Sequence, residues 1–200
     1  MFMMSRTALV ENVTAMLEDA GFRIMDTLVY YGRKTGDLPP RPACPEGVTC
    51  RLAEPSDASA VADVARVGFT AYMGHYHADP RLDSAAADAA YVEWAETSTA
   101  QCSYHAPVIL AKHRGQVAGF LTLRKNTVDE VELVLSAVHP KLNGKGLYSV
   151  IIHEGLRLAK SLDARTVITS TQIDNWAVQR VWIRQGFLPI RSVHTLHKWL

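Results

Sequence analysis

Val131-Glu-Leu-Val-Leu-Ser-Ala-Val-His-Pro140 runs into Lys141-Leu-Asn-Gly-Lys-Gly-Leu-Tyr148 and then Ser149-Val-Ile-Ile-His-Glu-Gly155. The first part is β-branched and apolar and stops at a proline, as a strand does. The last part places Leu147, Val150, Ile151 and Ile152 at helical spacing. Between them Gly144 and Gly146 mark a turn in which the backbone comes close to whatever lies against it. A strand, a short glycine loop and a helix N-terminus together make an anion cradle, because loop N–H groups and the positive end of the helix dipole converge there.

The loop is neither of two common phosphate motifs. A dinucleotide fingerprint needs a third glycine at Ser149, and a P-loop needs Gly-Lys-Ser/Thr, whereas Lys145 precedes the second glycine. It resembles the acetyl-CoA loop of the GCN5-related N-acetyltransferases, Gln/Arg-x-x-Gly-x-Gly/Ala, with Lys141 in place of the first residue. Asn175, Ala177 and Gly186-Phe187 extend the resemblance toward the chain end. The fold it implies is α/β, with a mixed, mostly antiparallel central sheet flanked by helices.

The 200 residues are 48% hydrophobic, enough for a sizeable core. A formal net charge of +1 gives no argument for nucleic acid or an anionic membrane surface. Cys44, Cys50 and Cys102 are odd in number and lack metal-ligand spacing, which fits a reduced, cytoplasmic setting. No secretory segment or membrane-spanning run is read. His75, His77 and His197 lack the helical pairing or cysteine partner of a zinc site, so no metal is expected.

Along the chain, Ser5 is expected to cap a helix whose apolar face is Leu9, Val10, Val13, Met16 and Leu17, closing at Gly21. Arg23 to Tyr31 reads as a strand. The prolines Pro39, Pro40, Pro42 and Pro45 make Gly32 to Gly47 a connector. This divides the chain into an N-terminal helix-strand extension with a Pro-rich connector, residues 1–46, and an acetyltransferase domain, residues 47–200. A helix and one strand bury too little to stand alone, so the extension is expected to pack on the main domain or on a second subunit, as in a homodimer. Next come a strand at Val48–Leu52, a helix from a cap at Ser56 or Asp57 to Phe69, and an alanine-rich helix at Ser84–Ser98. A hairpin of Val108–Lys112 and Val117–Leu123 turns at Arg114-Gly115. Glu132–Val138 is the next strand, Gly146–Lys160 a helix, Thr166–Thr171 a strand, Trp176–Gln185 a helix, and Leu188–Trp199 the last strands.

The resemblance implies site roles. Ala137 and Val138 would hold pantetheine as an added strand, the Val138 N–H facing the thioester carbonyl; such a donor is typically worth ~3 kcal/mol of barrier. Leu142, Asn143, Gly144, Lys145, Gly146 and Leu147 would hold the pyrophosphate, with Tyr148, Asn175 and Trp182 completing the acetyl-CoA site. Glu132 stands in the register of the glutamate of the histone-acetylating members, as the base that deprotonates the acceptor amine. The departure is Trp182, where members usually carry a tyrosine that protonates the leaving CoA; an indole N–H cannot release a proton. Tyr148, His153 and His197 are the possible substitutes.

The segment Tyr72-Met-Gly-His-Tyr-His-Ala-Asp-Pro-Arg-Leu-Asp83, with Ala87-Asp88, Tyr91 and Trp94, is similar to the family branch that contains TDP-fucosamine acetyltransferase. Thr171-Gln172 and Thr195-Leu-His197-Lys-Trp199 agree with it. The branch implies a nucleoside-diphosphate amino-deoxysugar as acceptor, bound by Tyr76, His77, Arg81, Gln172 and His197, with direct transfer in a ternary complex for polysaccharide biosynthesis. Other readings are another small amine, a protein N-terminus, or a non-catalytic acyl-CoA-binding module.

Overall fold

A computed structural model describes residues 1–8, 12–70 and 72–200. Eight strands form one sheet: β1 (Phe2–Ala8), β2 (Arg23–Lys34), β3 (Val48–Leu52), β4 (Val108–His113), β5 (Gln116–Lys125), β6 (Glu130–Val138), β7 (Thr166–Gln172) and β8 (Leu188–Trp199). Their order across the sheet is β1-β8-β2-β7-β6-β5-β4-β3. Every neighbouring pair is antiparallel except β6 and β7. The helices are α1 (Val13–Asp19), α2 (Ala58–Gly68), α3 (His75–Ala78), α4 (Ser84–Ala100), α5 (Leu147–Ser161) and α6 (Trp176–Arg184). This is the mixed, mostly antiparallel sheet flanked by helices that the loop motif implied.

Two cores explain the layering. The amphipathic α5 buries Leu147, Ile151, Ile152 and Leu156 on one sheet face, against Leu121, Leu133 and Val167, and Trp182 of α6 joins them. On the opposite face α2 and α4 bury Val61, Val64, Tyr91 and Ala95 against Leu110, Phe120 and Leu135. β6 alternates buried and half-buried positions, and its buried side chains serve both cores, Val131 and Leu133 the first and Leu135 and Ala137 the second.

The N-terminal segment differs from its reading. Ser5 does not cap a helix; it lies in β1, opposite Leu196 of β8. A capping signal is local, whereas this strand is made by pairing with the far end of the chain, and Phe2 packs on the rings of His197 and Trp199. The helix that follows has only seven residues, too few to hold itself without packing. Val13 and Met16 are exposed on it, and Leu9 and Val10 lie outside the described residues. β2 continues past Tyr31 to Lys34 and is inserted between β7 and β8, so the first segment of the chain completes the interior of the sheet.

Three smaller differences concern caps and loops. Asp57 serves a short 3-10 turn ahead of α2, its Oδ2 accepting the Glu54 N–H at 2.8 Å while its carboxylate pairs with Arg51. Residues 75–78, read as loop, form the one-turn α3. The C-terminal segment is a single twelve-residue strand whose partners are β1 and β2.

Candidate active site

The site begins with a fault in the sheet. β5 and β6 pair regularly up to Leu123 opposite Leu133, then resume with Thr122 opposite Leu135, so Val134 is an extra residue on β6. The bulge bends the strand and reverses the direction of its later N–H groups. The parallel pairing with β7 runs from Glu130–Thr166 to Leu133–Thr169 and stops there, although both strands continue. Beyond the bulge, Leu135 N–H donates to Thr122 Oγ1 at 3.0 Å and His139 N–H to the Ala118 carbonyl at 2.8 Å, both on β5. Strand groups alternate in direction, so the N–H groups of Ser136 and Val138 face away from β5 into the gap.

That gap is a cleft of about 790 Å³. One wall is β6 from Leu133 to Val138, the other β7 from Thr169 to Gln172 and α6 with Asn175, Val178 and Trp182. Phe69, Tyr72 and Met73 close one end, and Asn143, Gly144 and Tyr148 stand at the loop end. Asn175 earns its place by capping α6 while its Nδ2 donates to Thr171 Oγ1 at 2.9 Å.

The glycine loop divides its donors. The N–H groups of Leu142, Asn143 and Lys145 are used inside the loop, on the carbonyls of His139, Pro140 and Leu142. Those of Gly144 and Gly146 make no backbone hydrogen bond among the described residues, and the first N–H groups of α5 lack helical partners by construction. Gly144 and Gly146 both have left-handed backbones, φ +73° and +85°. The side chains of Leu142 and Leu147 are core residues, and Lys145 and Gly146 are exposed at the mouth.

Other residues singled out from the sequence fall in different places. Glu132 is outside the cleft lining; its carboxylate pairs with Arg124 at 2.6 Å and takes a 3.2 Å hydrogen bond from Asn126 Nδ2. The structure therefore does not bring it to Val138. Gln172 does reach the cleft, buried, with Nε2 donating to Asp26 Oδ2 at 3.3 Å. Tyr76, His77, Arg81 and His197 are not among the lining residues. His77 is occupied by Gly74 N–H on one ring nitrogen and Asp88 on the other. Arg81 lies over the Trp199 ring, and Tyr76 packs on His75. His197 is buried between Asp79, 2.9 Å from its Nδ1, and His75, 3.0 Å from its Nε2. His75 is held neutral, its pKa lowered to about 4 chiefly by burial. Asp79 stays ionised: burial opposes this, but hydrogen bonds from Trp199, His197 and the Arg81 N–H hold its pKa low.

Sequence reasoning missed Asp26, Ser136 and Asp174. Asp26 lies behind Gln172 because β2 joins the sheet beside β7, and one of its oxygens is buried with no partner among the described residues. Ser136 had a local signal, its place in the strand two residues before Val138. Asp174 lines the cleft from the β7–α6 turn. No cysteine lines the cleft, and no group of three metal-ligating side chains occurs among the described residues.

Residues 70–187 match the acetyltransferase (GNAT) family over more than half of the chain. The chain belongs to that family. The GNAT chain is 33% identical over 147 residues to the spore coat polysaccharide biosynthesis protein SpsD of Bacillus subtilis, covering 73% of this chain and 49% of that protein. It thus spans about half the length of this curated relative. In fold it is similar to a GCN5-related N-acetyltransferase of Sphaerobacter thermophilus, with a TM-score of 0.73, 15% identity, and coverage of 98% of this chain and 59% of that one. A Salmonella typhimurium acetyltransferase solved with acetyl-CoA aligns with a TM-score of 0.54 at 16% identity, over 76% of this chain and 93% of its own. At these identities the structures speak for the fold of the GNAT chain.

Proposed function

We propose that this GNAT protein transfers an acetyl group from acetyl-CoA to the amine of a nucleoside-diphosphate amino-deoxysugar, in a ternary complex. The observation that carries the first half is the opened edge of β6, with two N–H groups facing a cleft that ends on two left-handed glycines and the start of α5. Those features fit pantetheine, an extended chain of amides, along Ser136 to Val138, and a pyrophosphate at Gly144, Gly146 and the first turn of α5. Bound there, acetyl-CoA supplies an activated acyl group. The Val138 N–H holds the thioester oxygen where negative charge develops, Asn175 and Trp182 shape the β7 side of the cleft, and the apolar walls exclude water.

The acceptor class rests on the likeness to SpsD, whose name places that protein in spore coat polysaccharide biosynthesis, and on the polar end of the cleft. Tyr72 and Gln172 line that end, Asp26 lies behind Gln172, and the chain of Asp79, His197 and His75 braces α3 beside it. In this reading residues 47–200 are the acetyltransferase unit, and the extension 1–46 contributes Asp26. A cytoplasmic setting is part of the same proposal, and three unpaired cysteines suit it. No helix of the described residues is long and apolar enough to cross a membrane.

Calorimetric titration with acetyl-CoA, then with TDP- and UDP-linked amino sugars, tests this with CoA release followed on the same samples. Binding of both with CoA release supports the full reading and names the sugar. Acetyl-CoA binding without a sugar response removes the acceptor class, and failure to bind acetyl-CoA removes the whole.

A further inference from the structure

Among the described residues lining the cleft, three carry titratable side chains: Tyr72, Tyr148 and Asp174. Tyr72 is occupied by Gln172 and Tyr91 at the polar end, and Asp174 is exposed at the β7–α6 turn. Tyr148 is different. It rises from the first turn of α5 into the cleft, where its hydroxyl is 3.2 Å from Trp182 Nε1 and 3.3 Å from Ser136 Oγ.

The chemistry of the indole fixes the direction of the first of these bonds. An indole N–H only donates, so Trp182 occupies one lone pair of the phenolic oxygen and leaves the phenolic hydrogen to be given elsewhere. Ser136 Oγ can take that hydrogen, or turn and donate its own. Ser136 is two residues before Val138 on the opened edge of β6, so the phenol stands beside the strand segment that faces the thioester. Burial raises the Tyr148 pKa, and the hydrogen bonds with Ser136 and Trp182 oppose that rise. The proton is held until a basic atom arrives, and two donors are ready for the oxygen it leaves.

We propose that Tyr148 is a catalytic residue of acyl transfer, its O–H protonating the CoA sulfur as the C–S bond breaks, with Trp182 and Ser136 as positioning residues. The inference rests on the acetyl-CoA reading above. In the step the acceptor nitrogen bonds the acyl carbon and releases one proton to solvent. The C–S electron pair stays on sulfur, sulfur takes the Tyr148 proton, and the phenolate recovers a proton from solvent. Trp182 therefore acts through a phenol on the neighbouring helix.

The test uses CoA itself, so it needs no acceptor. The thiolate of bound CoA is titrated by its ultraviolet absorbance in the wild type, Tyr148→Phe, Trp182→Phe and Tyr148→Phe/Trp182→Tyr, with CoA affinity and melting temperature as controls. A phenol that donates to sulfur stabilises the thiolate, so the bound thiol titrates about one pH unit higher in Tyr148→Phe than in the wild type. Trp182→Phe shifts it less in the same direction, and the double variant, which returns a phenol from α6, restores the lower value. Identical titration of the wild type and Tyr148→Phe, both binding CoA, overturns the proposal. If Tyr148→Phe does not bind CoA, Trp182→Phe decides alone, an unchanged thiol titration overturning the proposal. Failure of the wild type to bind CoA overturns the acetyl-CoA reading and this step with it.

Discussion

His75 and His197, 122 residues apart in the chain, share a hydrogen bond of 3.0 Å between Nδ1 and Nε2. The Asp79 carboxylate only accepts, so His197 Nδ1 donates to it, and His197 Nε2 meets His75 Nδ1. Trp199 Nε1 adds a second donor to the same Asp79 oxygen at 2.8 Å. The chain of groups fastens the one-turn α3 to the last strand, and with it the loop that carries Tyr72 to the cleft.

This buried chain makes stability depend on pH. The folded-state pKa of His75 is lowered to about 4 from an ordinary 6.5, so between those values the unfolded chain binds a proton that the folded chain does not. Stability is therefore full above pH 6.5 and is lost as pH falls toward 4. Asp79, with its own lowered pKa, loses stability in the same direction at still lower pH. Arg6, and any positive charge on His197 or His77, opposes protonation of His75, while Asp26 favours it. Urea midpoints measured from pH 7.5 to 4.5 are expected to fall, and His75→Gln, which keeps a hydrogen-bonding partner for His197, is expected to flatten that fall. An equal slope in the variant would assign the acid sensitivity elsewhere.

Asp26 carries a second, opposite expectation. Among the described residues one carboxylate oxygen is buried without a partner, and Thr195, opposite it on β8, also has a buried hydroxyl without one. Unpaired buried oxygens lower stability. Replacing Asp26 by Asn is expected to raise the melting temperature, leave acetyl-CoA affinity unchanged, and weaken the amino-sugar acceptor about tenfold through loss of a charge for its ammonium. Calorimetry with each ligand separates the effects; acceptor affinity that does not move would make Asp26 a structural residue.

Glu132→Gln distinguishes an ion pair from a base. The pairing with Arg124, whose guanidinium is largely exposed, predicts a stability loss of about 1 kcal/mol or less and turnover within a few-fold of wild type. A large fall in kcat with unchanged acetyl-CoA affinity would instead return the base to Glu132.

What could be read from the sequence was what local order decides. The strand, glycine turn and helix of residues 131–155 declare themselves through period, proline and glycine, and they hold the acetyl-CoA end of the proposed site. The acceptor end could not be read that way. Asp26 meets Gln172 because β2 pairs with β7, and Ser5 joins a strand because Leu196 lies opposite, relationships that no window of neighbouring residues contains. Trp182 looked like a lost acid in the sequence; only the packing of α5 on α6 shows its N–H directed at Tyr148.

The loop glycines allow a test that separates backbone from crowding. A Cβ added at Gly144 meets nothing within 4 Å, and at Gly146 only the Ala43 carbonyl oxygen at 3.9 Å, so space does not require glycine there. The left-handed backbone does, at a cost of about 1–2 kcal/mol for an ordinary residue and less for asparagine. At position 144 the expected order of stability is Gly, then Asn, then Ala, then Val, read from urea midpoints. Acetyl-CoA affinity is expected to fall in the same order, because a backbone that relaxes from positive φ turns its N–H groups away from the pyrophosphate. Asn and Val variants of equal stability and affinity would mean that the loop tolerates another conformation, and the cradle would then have to be sought in the first turn of α5 alone.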